Sequence, residues 1–139
     1  MDQPLVFQHP LFGRVELSPG DAPRRNFETL ERHMRAEEAG DIETTMSTMA
    51  PDPHWVDHGT GVDLHGYEAV RTRYAKRFAE RPGLTVDIRR TVVTDTVAVL
   101  QVYWKGDGSS PGNVPMLTWM EFENGKLVGE AAYSNPPRR

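Results

Sequence analysis

The second half of the chain constrains the fold most. Between Thr85 and Ser134 four strand-length segments follow one another: Thr85 to Thr94, Thr96 to Lys105, Val114 to Glu123 and Lys126 to Ser134. They are separated by Asp95, by Gly106 to Gly112 and by Asn124-Gly125, so they read as an antiparallel meander. Ahead of them the apolar period is helical. Phe27, Leu30 and Met34 recur between Asn26, read as an N-cap, and Gly40, read as a stop. Asp41 then caps a second helix, whose Ile42, Met46 and Met49 follow i, i+4, i+7 until Pro51 and Pro53 end it. A short strand from His54 to His58 runs into the turn Gly59-Thr60-Gly61. Gly66 opens a third helix with the stripe Val70, Tyr74 and Phe78, closed by Pro82-Gly83. Helices first and a meander afterwards predict the α+β class, with three N-terminal helices packed on a curved, mostly antiparallel sheet. The open end of such a sheet leaves an apolar concavity suited to a small ligand.

Length and composition set the boundaries. A chain of 139 residues is the usual size of one domain. Residues 1–25 carry Pro4, Pro10, Gly13, Pro19, Gly20 and Pro23, which predict an N-terminal arm with at most an extended piece around Leu11 to Leu17. The domain proper is expected over 26–139. The absence of cysteine excludes disulfides, thiolate nucleophiles and Cys-based zinc sites, and the expected location is cytoplasmic. No run approaches the roughly 18 apolar residues of a membrane span, so no membrane partner is expected. A net charge of −4 argues against nucleic acid as a partner. Arg71, Arg73, Lys76, Arg77 and Arg81 read as a solvated helix face.

Three stretches carry a family resemblance: Arg32-His33-Met34 through Ala39-Gly40-Asp41, then Trp55-Val56-Asp57, then His65-Gly66 heading a helix. With the ending Phe122-Glu123-Asn124-Gly125-Lys126-Leu127-Val128 they resemble the nuclear transport factor 2-like superfamily over about residues 26–135. Within it the chain is most similar to SnoaL-like polyketide cyclases and ketosteroid isomerases. The resemblance implies a cone-shaped domain and a homodimer formed through the convex sheet face. It also implies catalytic roles. Asp57 matches the isomerases' general base in its distance from Gly40 and Gly66. His33 stands at the place of their oxyanion-stabilising tyrosine, and Thr118 at the place of their protonated aspartate. In limonene-epoxide-hydrolase-like enzymes of the same fold one catalytic aspartate lies on the final strand, where this chain has Ala132, so epoxide opening is disfavoured.

The residue chemistry fits an acid–base pair. A carboxylate in an apolar pocket becomes a stronger base, and a histidine beside it can donate to a developing oxyanion. The competing structural roles are a bond from Asp57 to the backbone of the Thr60-Gly61 turn, and a space-filling contact of His33 beside Leu30. His54, Asp57, His58, Asp63 and His65 crowd into twelve residues. On a strand, however, His54 and His58 face one way and Asp57 the other, so no metal site is expected. Tyr103, Met116, Trp119, Met120 and Tyr133, with Thr118, are expected to line the pocket, with His58 at its mouth. No phosphate loop, dinucleotide fingerprint or nucleophile elbow occurs, so no cofactor is implied. The expectation is a cofactor-independent isomerase or cyclase acting on a small hydrophobic polyketide- or terpenoid-like molecule through Asp57 and His33. The alternative is a non-catalytic ligand-binding or dimerisation module of the same fold.

Overall fold

The computed structural model describes residues 3–106 and 112–134, so most of the loop expected at Gly106 to Gly112 lies outside the described residues. In chain order the elements are β1 (Leu5–His9), β2 (Gly13–Leu17), α1 (Asp21–Ala39), α2 (Ile42–Ser47), β3 (Met49–Asp57) and β4 (Val62–His65). There follow α3 (Tyr67–Glu80), β5 (Val86–Val93), β6 (Val97–Trp104), β7 (Val114–Glu123) and β8 (Lys126–Ser134). All eight strands join one sheet in the order β1-β2-β5-β6-β7-β8-β3-β4. The pairs β2–β5 and β3–β8 are parallel and the others antiparallel.

The α+β class and the four-strand meander are as the sequence predicts. The helices, however, are not an N-terminal block. Two strands precede α1 and two more separate α2 from α3. Residues 5–17, read as part of an arm, form a hairpin that extends the sheet through β2. Its Phe12 and Val15 are buried, and Phe12 and Phe7 meet Phe27 of α1 edge-on at 5.3 and 5.7 Å. Gly13 permits this docking. Its φ is +67°, and a Cβ there would lie 2.1 Å from the carbonyl oxygen of Arg89 at the register shift in β5.

Helix α1 also starts earlier than Asn26. Pro23 falls in its first turn, where backbone N–H groups have no intrahelical partner, and Asp21 complements the positive helix end. Asn26 is buried instead, donating to the carbonyls of Thr94 and Asp95 at 3.1 and 3.0 Å and so pinning α1 to the β5–β6 turn. Gly40 ends the helix with φ +70°, as expected. Helix α2, capped by Asp41, stops at Ser47, and Met49 already belongs to β3. Pro51 and Pro53 fall where the β3–β8 register breaks between Met49 and His54, a stretch that tolerates missing N–H donors.

The core lies between the concave sheet face and the helices: Leu30, Met34, Met46, Val70 and Tyr74 meet Leu100, Val102, Met120 and Phe122. Val70 and Tyr74 turn inward, and Phe78 packs partly buried against the same cluster. Among the described residues no helix is long and apolar enough to cross a membrane.

Candidate active site

The concave face encloses a cavity of about 380 Å³. Strand parity builds its floor. On β7, Met116, Thr118 and Met120 face inward and line it, while Leu117 and Trp119 face out. The register shift between Glu121 and Phe122 sets the parity of β8, so that Glu130 stands opposite Met120 and Ala132 opposite Thr118. On the other side of β8, Trp55 of β3 pairs with Glu130. Its indole Nε1 donates to Glu130 Oε2 at 3.0 Å.

Opposite this floor, α1 and α3 contribute charge. His33 is fully buried, and its Nδ1 lies 2.8 Å from Thr48 Oγ1. The Thr48 hydroxyl proton is committed to the Thr45 carbonyl at 2.7 Å, so Thr48 accepts and His33 Nδ1 carries a hydrogen. His33 Nε2 is 2.9 Å from Glu37 Oε2, which also requires a proton between them. Glu37 Oε1 in turn accepts from Arg77 Nη2 at 3.0 Å. The arrangement is an imidazolium–carboxylate–guanidinium chain. Burial opposes the charge on His33, but the bond and charge of Glu37 outweigh it and hold the imidazole above its ordinary pKa. Burial likewise opposes ionisation of Glu37, but His33, Arg77 and Arg73 outweigh it and hold the carboxyl below its ordinary range.

Glu130 differs. Burial first, and repulsion by Glu37 second, push its pKa up. Its Oε1 is buried and accepts no hydrogen bond among the described residues. One ligand atom each of His33, Glu37 and Glu130 falls within 4.8 Å of the others. Tyr74 OH lies 3.4 Å from His33 Nε2, and its pKa is raised well above the ordinary phenol value by burial and by the two carboxylates. Because Nε2 bears hydrogen, the phenol oxygen faces a donor, and its own O–H is available to the cavity that Tyr74 lines.

The sequence-predicted residues are distributed as follows. His33 joins the buried cluster, although Glu37 and Tyr74, not His33, line the cavity. Met116, Thr118 and Met120 line it as well. Asp57 is buried on the inner face beyond Trp55, where its Oδ1 accepts from the N–H groups of Gly59 at 2.9 Å and Thr60 at 3.4 Å. It is not among the cavity-lining residues. Trp119 and Tyr133 are on the outer face, 40% and 46% exposed. His58 stacks on Tyr133 with ring centres 4.5 Å apart, and Tyr103 carries the Arg89 guanidinium at 4.6 Å. In the His54 to His65 segment, His54 stacks on His65, which pairs with Asp63 at 2.8 Å.

Glu37, Tyr74, Glu130 and Trp55 were not foreseen as site residues. The i, i+4 spacing of His33 and Glu37 was a usable signal. Glu130 was hidden, because plain alternation from Leu127 sends it outward. The basic segment of α3 is not simply a solvated face either. Arg73, Lys76, Arg77 and Arg81 line the cavity, while Arg71 pairs outside with Glu43 at 2.7 Å.

A family profile described as the SnoaL-like domain matches residues 30–130. Among solved structures, an NTF2-like protein of unknown function from Mesorhizobium loti aligns with a TM-score of 0.72 and 18% identity, covering 86% of this chain and 98% of that one. A putative SnoaL-like polyketide cyclase from Jannaschia sp. CCS1 gives 0.66 and 19%, covering 85% and 90%. A hypothetical protein with a ketosteroid isomerase-like fold from Catenulispora acidiphila, in complex with trimethylamine, gives 0.58 and 16%, covering 76% and 84%. At these identities the likeness is one of fold. No curated protein matches the chain.

Proposed function

The chain belongs to the SnoaL-like domain family, and from that premise we propose that it is a cofactor-independent acid–base enzyme of the isomerase or cyclase type acting on a small hydrophobic molecule. The observation that carries this reading is Glu130: a carboxyl with a raised pKa whose buried Oε1 accepts no hydrogen bond among the described residues, in a cavity lined by apolar and charged side chains, beside the ionised His33–Glu37 pair. Burial and a neighbouring like charge are the means by which proteins tune a carboxyl for proton transfer. In our proposal Glu130 takes the base role that the family resemblance assigns to Asp57, and Asp57 holds the β3–β4 turn.

Glu130 removes a proton from a carbon beside the substrate carbonyl, and the electron pair moves onto the carbonyl oxygen. Tyr74 O–H donates to that oxyanion, its high pKa keeping it protonated. The His33–Glu37–Arg77 chain acts at one remove by fixing the charges around Tyr74 and Glu130. In an isomerisation the proton returns from Glu130 to a different carbon. In a cyclisation the enolate carbon attacks a second carbonyl of the same molecule, and the Glu130 proton goes to the new alkoxide. The working unit we propose is a cytoplasmic homodimer joined through the convex face, where Leu117, Trp119 and Tyr133 are exposed and Leu117 stands opposite Tyr133.

The test is deuterium exchange at the activated carbon of 2-tetralone in D2O, followed by proton NMR. The wild type accelerates exchange, Glu130→Gln lowers the rate by about 10²–10⁴, and Asp57→Asn retains it. Loss confined to Asp57→Asn returns the base to Asp57. Absence of any acceleration by the wild type favours the non-catalytic ligand-binding module.

A further inference from the structure

The arginines of α3 are more than counter-ions. Arg73 and Arg77 stand one helical turn apart, with Cβ atoms about 6 Å from each other by helix geometry, and both line the cavity. Arg77 uses Nη1 on the Gly83 carbonyl and Nη2 on Glu37. Its Nε–H is buried with no acceptor among the described residues, on a side chain only 9% exposed. Arg73 lies over Trp55, its Cζ 3.5 Å from the ring centre, and none of its N–H groups makes a hydrogen bond or ion pair among the described residues. A buried guanidinium N–H without an acceptor is costly, and a fork of such donors matches a carboxylate in shape and charge.

The charge balance points the same way. Around the buried cluster stand His33, Arg73 and Arg77, against Glu37, already held by two of them, and Glu130. One ligand atom each of His33, Glu37 and Glu130 is close enough to the others for a cation, but His33 Nε2 carries a hydrogen directed to Glu37 Oε2, and Arg77 holds the other oxygen of that carboxylate. The excess positive charge favours an anion. A singly charged carboxylate suits apolar walls such as Val102, Trp104 and Met116 better than a phosphate, which loses more hydration on burial.

We infer that Arg73 and Arg77 form a subsite for a carboxylate carried by the substrate, so that the cavity selects small hydrophobic carboxylic acids over their neutral isosteres. This rests on the acid–base reading only in placing the substrate within this cavity. The carboxylate lies between Arg77 Nε–H and the Arg73 guanidinium, leaving the carbonyl for Tyr74 and the adjacent carbon for Glu130.

The experiment is isothermal titration calorimetry at low salt with three probes sharing one apolar body: 2-naphthoate, 2-acetonaphthone and 2-naphthylmethylammonium. The expected result is binding of the carboxylate roughly ten-fold or more tighter than the ketone, and of the ammonium weakest of the three. Arg73→Gln removes most of that preference, and so does Arg77→Lys, which keeps the charge but loses the Nε–H. Should Arg77→Lys fail to fold, Arg73→Gln decides alone, because the Arg73 guanidinium makes no hydrogen bond among the described residues. Equal affinity for the ketone, tighter binding of the ammonium, no binding of any probe at millimolar concentration, or an Arg73→Gln protein with undiminished preference overturns the inference. Exchange on 2-tetralone needs no carboxylate, so failure of the subsite and failure of the Glu130 base are read in separate assays.

Discussion

Replacing Thr48 by valine tests the charge state of the buried histidine with almost no change of shape. Thr48 is fully buried, accepts from His33 Nδ1–H at 2.8 Å and donates to the Thr45 carbonyl at 2.7 Å. Valine removes both bonds. The Thr45 carbonyl keeps the Thr48 backbone N–H at 3.3 Å, so that half costs about 1 kcal/mol or less. The His33 Nδ1–H has no such reserve, and a buried donor stripped of its acceptor costs about 1–3 kcal/mol, more when it belongs to a charged group. The sum is about 2–4 kcal/mol, which lowers Tm by roughly 6–15 °C for a domain of this size. The pH dependence has a definite sign. His33 is raised in the folded state, so stability from its protonation is complete below the unfolded pKa of about 6.5 and is lost as pH rises through the folded value. Once neutral, the ring can keep its single hydrogen on Nε2 toward Glu37, and the missing acceptor no longer matters. Urea unfolding of both proteins between roughly pH 5 and 9 therefore shows a deficit that is largest in acid and narrows with rising pH. A deficit below about 0.5 kcal/mol, or one that is constant with pH, refutes the imidazolium assignment.

Two further substitutions test packing and assembly. Gly129→Ala places a Cβ 2.2 Å from the His54 ring, which is stacked on His65, and is expected to cost about 1–3 kcal/mol in urea unfolding; an unchanged midpoint shows that the ring moves aside freely. Trp119→Lys puts a charge in the exposed outer patch and is expected to reduce the light-scattering mass from twice 15.7 kDa to 15.7 kDa, whereas a wild type already at 15.7 kDa refutes the homodimer.

The fold was legible where a period repeats for long enough. Within the meander β6 and β7 alternate steadily, and the inward residues of β7 follow from parity alone. The N-terminal hairpin was not legible, because its prolines and glycines, read one at a time, mark turns, while its docking depends on Phe12 and Val15 meeting a strand some 75 residues later. The site was legible at His33 but not at Glu130. A one-residue shift of register in β8 turns Glu130 and Ala132 inward and Tyr133 outward, and nothing local in Lys126 to Ser134 announces it. The α3 arginines were hidden for a related reason: helical spacing shows that residues share a face, but not that a concave sheet bends over that face.

Carbon NMR titration of the Glu130 side-chain carboxyl tests the central claim most directly. Glutamate is labelled at Cδ, and the Glu130 signal is identified by its absence from Glu130→Gln. The predicted result is a midpoint above the ordinary carboxylate value, with Glu37 titrating below it, because burial opposes ionisation of both, but His33, Arg77 and Arg73 outweigh it at Glu37 while the Glu37 charge adds to it at Glu130. A Glu130 midpoint at or below the ordinary value would contradict the account, because burial and the Glu37 charge would then not be strengthening its carboxylate as a base.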